Sequence, residues 1–397
     1  MAAPKCRSES SRRLGYCTNV HPYSDLDGML EALEAHAAPV RKRLVGSGRL
    51  APDACLGVGL WLPSPVAAEL ARDASRLVEE LERLSLDAFT VNAFPHGVFH
   101  GDIVKDDVFR PSWSDPERLR YTLDAARALA ALLPEGGVGS LSTHSGAYKG
   151  WGPAELAPEP IARGLLAAAE GLRKLEDETG RCILLGLEPE PLSFLETTDE
   201  VIEFFARYIQ PEGEAAQRYL GLCYDACHQA VEFEDMAASV CALRAAQIPI
   251  TKVQMSSAIR VLDPSAAHDL LQAMAKDRWF HQVVARQADG ELMRIPDLPQ
   301  ALSDRHALTA VEWRVHYHVP IFAERLDEAG QLLTTRPQLE ELMALVSEGN
   351  EALHAEIETY TWDAIPQARR EELELSSLTD CLEREFCWAM DQLEGSS

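Results

Sequence analysis

Eight short apolar runs, separated by longer amphipathic stretches, restrict this chain to very few folds. The runs cover residues 14–20, 55–62, 89–94, 140–143, 182–187, 219–224, 248–255 and 355–361. Each is strand-sized and close to continuously apolar, as strands covered on both faces are. Helical periodicity fills the intervals, for example over 26–44, 64–84, 115–133, 161–179, 199–208, 234–246 and 337–347. Helix starts are marked by Ser64-Pro65 and by Ser114-Asp115-Pro116-Glu117, and Gly136, Gly180 and Gly349 mark stops. Strand and helix alternating eight times predict a closed (β/α)8 TIM barrel. Successive runs start 29 to 51 residues apart, one βα unit each, except the last, which starts 107 residues after its predecessor. One domain over 1–397 is therefore expected, with an insertion over 260–335 before the final strand. Inside the insertion, 282–286 and 291–295 flank Asp289-Gly290 as a hairpin. A ninth run, 311–321, could itself be a barrel strand. The tail after Trp362 reads as two extra helices of the outer ring. An open doubly wound sheet is the alternative, but no Gly-x-Gly-x-x-Gly turn follows the first run.

With 63 acidic and 37 basic residues the formal charge is −26. So negative a surface repels phosphate backbones, which argues against nucleic acid as a partner. No apolar stretch reaches the roughly 18 residues of a membrane span, and the N-terminus has no signal-peptide apolar segment. A cytoplasmic protein without membrane insertion is expected, with a small-molecule substrate and, as an option, a second copy of itself as partners. The 9 cysteines include no Cys-x-x-Cys, and Cys55, Cys182 and Cys223 fall in apolar runs, so reduced, packed thiols are expected.

In a barrel of this kind, chemistry sits where strands end. The third run ends near His96 and His100, and the fourth at His144. The fifth ends at Glu188-Pro189-Glu190, and the sixth at Asp225-Ala226-Cys227-His228. The seventh carries Lys252-Val253-Gln254 with Arg260 beyond it, and the last carries Glu356-Ile357-Glu358. In the ninth run Arg314, His316 and His318 form one polar stripe, because alternate residues of a strand share a face. Trp313, Val315, Tyr317 and Val319 share the other. Carboxylates suit Mn²⁺ or Mg²⁺, and imidazoles suit Zn²⁺ or Co²⁺. A lone strand-end histidine is more often a hydrogen-bonded wall residue; donors converging from four strand ends are harder to dismiss.

The order Glu188-Pro, Asp225-x-x-His228, Gln254 with Arg260 six residues on, then Glu358, resembles the xylose-isomerase-like TIM barrels. These include sugar isomerases and epimerases and the endonuclease IV type nucleases. More narrowly, the phrases from Leu14 to His21, Asn92 to Gly101, Cys223 to Asp235, Arg314 to Pro320 and Glu356 to Trp362 look like the EboE-type metabolite traffic proteins, which implies a role in secondary metabolism. The resemblance implies a divalent metal on Glu188, Asp225, Gln254 and Glu358. It also implies substrate contact by His228 and Arg260. Gln254 departs from the histidine usual there.

Three functions follow as expectations. The first is a metal-dependent isomerase or epimerase of a sugar, polyol or cyclitol. Glu188 and Glu358 exchange the proton through a metal-stabilised enediolate, and Lys252, His96 and His144 join the substrate contacts. The second is a non-catalytic metabolite binder. The third is a multi-metal phosphoester hydrolase. His316 and His318 are expected to close over the barrel mouth and give at least one imidazole to metal or substrate, offsetting the weak ligand Gln254.

Overall fold

The computed structural model describes residues 12–97, 99–100, 105–275, 279–347, 353–362 and 365–394. The segment before residue 12 and Gly349, both used above, lie outside them. Seven strands alternate with helices: β1 (Arg12–Cys17), β2 (Leu56–Trp61), β3 (Leu86–Asn92), β4 (Val138–His144), β5 (Cys182–Glu188), β6 (Leu220–Asp225) and β7 (Ile250–Met255). Five short strands follow: β8 (Ile259–Val261), β9 (Val283–Arg286), β10 (Leu292–Ile295), β11 (Glu312–Val315) and β12 (Leu333–Thr334). β13 (Leu353–Ile357) comes last. β1 to β7 and β13 close a parallel barrel in the order β1-β13-β7-β6-β5-β4-β3-β2. The fold is thus a (β/α)8 barrel with a long insertion before its last strand and additional helices, Gln367–Glu372 and Leu378–Glu394, after it.

The insertion carries its own antiparallel sheet, ordered β10-β9-β11-β8-β12. The run 311–321 is therefore not a barrel strand. β13 pairs directly with β7, leaving no place between them, and β11 pairs with β8 and β9 instead. Beyond Val315 the chain leaves the sheet. Trp313, Val315, Tyr317 and Val319 pack in a second apolar core with Ile259, Val283 and Leu326, separate from the barrel's own core. The Leu378–Glu394 helix touches both, through Phe386 on the barrel side and Cys381 on the other.

The barrel interior needs space for a charged pair. Lys252 Nζ lies 2.6 Å from Glu356 Oε2, both fully buried. A Cβ at position 59 would sit 1.3 Å from Glu356 Oε1, so β2 accommodates this carboxylate only because residue 59 is glycine. Cys55 departs from the expectation of reduced cysteines: it is disulfide-bonded. It lies half-buried just ahead of β2 rather than inside the strand's buried run, where it would only pack. No described helix is long and apolar enough to cross a membrane.

Candidate metal centre

Four barrel strands bring oxygen donors to one end. Glu188 ends β5, Asp225 ends β6, Gln254 lies in β7, and Glu358 follows β13. Register places Asp225 opposite Gln254, and Gln254 opposite Glu356. The Asp-x-x-His spacing has a local cause. Asp225 caps the helix Ala226–Val231, its Oδ1 accepting from the His228 backbone N–H at 2.9 Å and from Ser256 Oγ at 2.7 Å. Capping fixes one oxygen and leaves Oδ2 facing inward. Glu358 is held likewise, its Oε1 accepting from Asn19 Nδ2 at 2.7 Å and Asn92 Nδ2 at 2.9 Å.

The remaining oxygens have no hydrogen-bond partner among the described residues: Glu188 Oε2, Asp225 Oδ2 and Glu358 Oε2, joined by both amide atoms of Gln254. Oxygens of Glu188, Asp225 and Glu358 lie within 4.8 Å of one another. Burying unpartnered carboxylates is costly unless they take up protons or a cation. Accordingly Glu188 is pushed well above the usual carboxylate range, first by burial and then by the charge of Asp225. Glu358 rises for the same reasons, with Glu188 as its main charged neighbour.

Three imidazoles adjoin this set. Their Nε2 atoms stand 3.1 Å apart for His228–His316, 3.1 Å for His316–His318 and 3.3 Å for His228–His318. Each Nδ1 faces an oxygen that can only accept. His228 Nδ1 donates to Pro189 O at 3.0 Å, His316 Nδ1 to Gln282 Oε1 at 2.6 Å and His318 Nδ1 to Glu358 O at 2.9 Å. With the proton on Nδ1, a neutral ring turns its Nε2 lone pair inward. Burial keeps the rings neutral, holding His228 and His316 below the ordinary value and His318 at about 4. Three lone pairs thus converge with no proton between them. A tetrahedral ion bound at about 2.0–2.1 Å sets its nitrogen donors about 3.3–3.4 Å apart, close to the observed triangle. Rings whose second nitrogen is tied to a carbonyl or amide oxygen are the usual form of metal-ligating histidine. Donor atoms of Asp225, His228 and His318 also lie within 4.8 Å of one another, so the two sets touch. The residues present fit a divalent cation.

The cleft over these donors is small, about 60 Å³. Its far wall is Phe94, Phe99, Trp279, Phe280 and Tyr360, with Lys105 beside them, ion-paired to Asp297 at 2.6 Å.

Four expected substrate contacts do not reach the cleft. Lys252 is sealed inside the barrel against Glu356 and Ser142. Arg260 lies in β8 and pairs with Glu312 of β11 at 2.9 Å, because residues past β7 enter the insertion sheet. His96 faces Glu117 at 3.5 Å and the Tyr121 ring, on the outer side. His144 packs against Phe94 and Phe109 with its Nε2 at Pro111 O. The structure does bring together Glu188, Asp225, Gln254 and Glu358, and sets His316 and His318 beside His228. Sequence reasoning missed Gln282 and the aromatic wall, and assigned Glu190 no role. Glu190 is buried against Gln282, and burial pushes it up to about 8.

No family model and no curated protein matches the sequence. Several solved structures are similar. L-ribulose 3-epimerase shares 12% identity over 97% of this chain and 95% of its own, with a TM-score of 0.46. The IOLI protein with a bound zinc atom shares 11% over 97% and 99%, with a TM-score of 0.41. An AP endonuclease, family 2, from Brucella melitensis shares 18% over 61% and 78%, with a TM-score of 0.36. All three scores fall below 0.5, so the barrel assigned above rests on this chain's own strand order.

Proposed function

We propose that this chain is a metal-dependent isomerase or epimerase of a small polyhydroxylated carbonyl compound: a sugar, or the keto form of a polyol or cyclitol. The observation that carries the metal part is the meeting of three inward Nε2 lone pairs with three buried, unpartnered carboxylate oxygens. Glu188, Asp225 and Glu358, with Gln254 beside them, would hold one cation; His228, His316 and His318 would hold a cation or a ligand next to it. A bound divalent ion supplies charge stabilisation for oxygens of the substrate. The protein's own contribution is proton handling. Glu188 and Glu358 come from strands β5 and β13 and face one cavity, so one can take a proton beside a carbonyl and the other return one. Asn19 and Asn92 fix which oxygen of Glu358 is available. The aromatic wall excludes water and offers flat apolar faces to the carbon skeleton. A place in secondary metabolism rests on the motif resemblance alone.

The adjoining donor sets, sharing Asp225, favour a second reading, a two-metal phosphoester hydrolase. Against it, Lys105 is the only lysine or arginine described on the cleft wall, and it is committed to Asp297. Two measurements decide. Elemental analysis of the purified protein should find at least one transition metal per chain, and less in a variant lacking the Asp225 and Glu358 carboxylates. The metal-loaded protein should then exchange carbon-bound hydrogen of a panel of ketoses and keto-cyclitols with D2O. Cleavage of p-nitrophenyl phosphodiester without such exchange would establish the hydrolase instead. Metal-free protein that binds panel compounds unchanged would make it a carrier.

A further inference from the structure

The imidazole cluster accepts a cation only if no proton occupies it, and that depends on the tautomer of each ring. For His228 and His318 the backbone decides, since Pro189 O and Glu358 O can only accept. His316 differs: its Nδ1 faces a side chain, the amide of Gln282. An amide can present oxygen or nitrogen. Were nitrogen presented, His316 would carry its proton on Nε2 and donate it to His228 or His318, 3.1 Å away. The cluster would then be closed by an internal hydrogen bond.

What settles the amide is its other end. Gln282 Nε2 lies 3.0 Å from Glu190 Oε1 and 3.1 Å from Pro191 O. The carbonyl of Pro191 accepts in every state, so the nitrogen belongs there and the oxygen toward His316. Backbone pairing holds the two residues in place, His316 N–H donating to Gln282 O at 2.9 Å. Both side chains are buried, with Gln282 only 1% exposed, so water does not substitute. Glu190 Oε1 is 3.5 Å from His316 Nδ1, near but displaced by the amide.

We propose that Gln282 is a positioning residue: it relays the fixed acceptor Pro191 O to His316, and so keeps the Nε2 lone pair turned into the cluster. The consequence for cation affinity rests on the metal reading above; the tautomer assignment does not. Metal-free protein labelled with ¹⁵N-histidine, studied by long-range ¹H–¹⁵N correlation, should show His316 protonated at Nδ1. Gln282→Leu should shift it toward the Nε2–H form, and Co²⁺ affinity, read from the visible bands of the bound ion, should drop by about 10–100-fold, the usual effect of losing such a supporting bond. Gln282→Glu, buried and protonated on the oxygen facing Pro191 O, keeps that donor and an oxygen before Nδ1, and should restore both the tautomer and most of the affinity, which a purely structural role would not predict. Nε2–H on His316 in the wild type overturns the proposal, whatever the variants do. So does a Gln282→Leu variant with unchanged tautomer and Co²⁺ affinity. Wild-type protein with the expected tautomer and no Co²⁺ bands sinks the metal reading while leaving the role of Gln282 standing.

Discussion

Two buried charge clusters lie one layer apart in this barrel, and they are built oppositely. In the lower layer β7 and β13 contribute Lys252 and Glu356, which pair with each other at 2.6 Å. Two residues further along each segment, Gln254 and Glu358 take the corresponding places. There, among the described residues, no lysine stands beside the acid. An amide stands where the lysine was, and Glu188 and Asp225 add further acid. Below, the protein neutralises its own carboxylate. Above, it gathers carboxylates and neutral imidazoles, and among the described residues no lysine or arginine pairs with those acids. A buried acid with its own lysine is architecture; the same acid beside an amide and three lone pairs is a seat for something brought from outside.

The contrast can be broken most forcefully from below. Lys252→Met should cost about 3–5 kcal/mol of unfolding free energy, since it strands Glu356 in the interior. The double change with Glu356→Leu should recover most of that in urea titrations. A single variant as stable as wild type would mean the pair is not what fills the lower layer.

A third buried acid sharpens the comparison, because it has hydrogen bonds in place of a counter-charge. Glu385 Oε1 accepts from Thr359 Oγ1 at 2.6 Å and from the Ile321 N–H at 3.2 Å. Burial pushes it up to about 8 from an ordinary 4.5. Between those values the folded state keeps a proton that the unfolded state has lost. Its contribution is therefore fully present below about 4.5 and fades as pH rises to about 8. Glu385→Gln should abolish that slope, gaining roughly 3 kcal/mol on wild type between pH 5 and pH 8. Parallel stability–pH curves would refute the assignment.

In the upper layer the expected effects fall on ligand rather than fold. His316→Ala or His318→Ala should lower Co²⁺ affinity by more than the roughly 10–100-fold typical of a lost supporting bond. Melting of the metal-free protein should change little. Smallest of all in stability is Asp225→Asn. Asparagine caps a helix as well as aspartate does, so thermal stability should stay within about 1 kcal/mol while metal binding collapses. Full metal retention in Asp225→Asn would remove Asp225 from the site.

The barrel was legible because apolar runs are local: all eight runs became barrel strands, with ends moved by a few residues. Asp225-x-x-His228 was legible because its spacing is that of a helix cap. Lys252 was not, because its partner lies 104 positions away, and a strand-end lysine looks the same whether it meets substrate or Glu356. Arg260 misled for a similar reason. Its spacing from Gln254 matched a motif, but the chain turns into β8 first, where Glu312 takes it. Gln282 had no signature, since an amide at a strand start has meaning only once Pro191 and His316 are known to flank it.

The donors of the upper layer are anchored in two different cores. The carboxylates stand on the barrel, whereas His316 and His318 sit within a run whose alternate residues pack in the insertion's own core. An ion held by both sets would act as a cross-link, tying the second core to the first far more tightly than their apolar contact does. Stabilisation by a ligand grows with the logarithm of its free concentration over its dissociation constant. Metal supply would therefore set how firmly the insertion is fastened, and chelation should loosen the insertion before it touches the barrel.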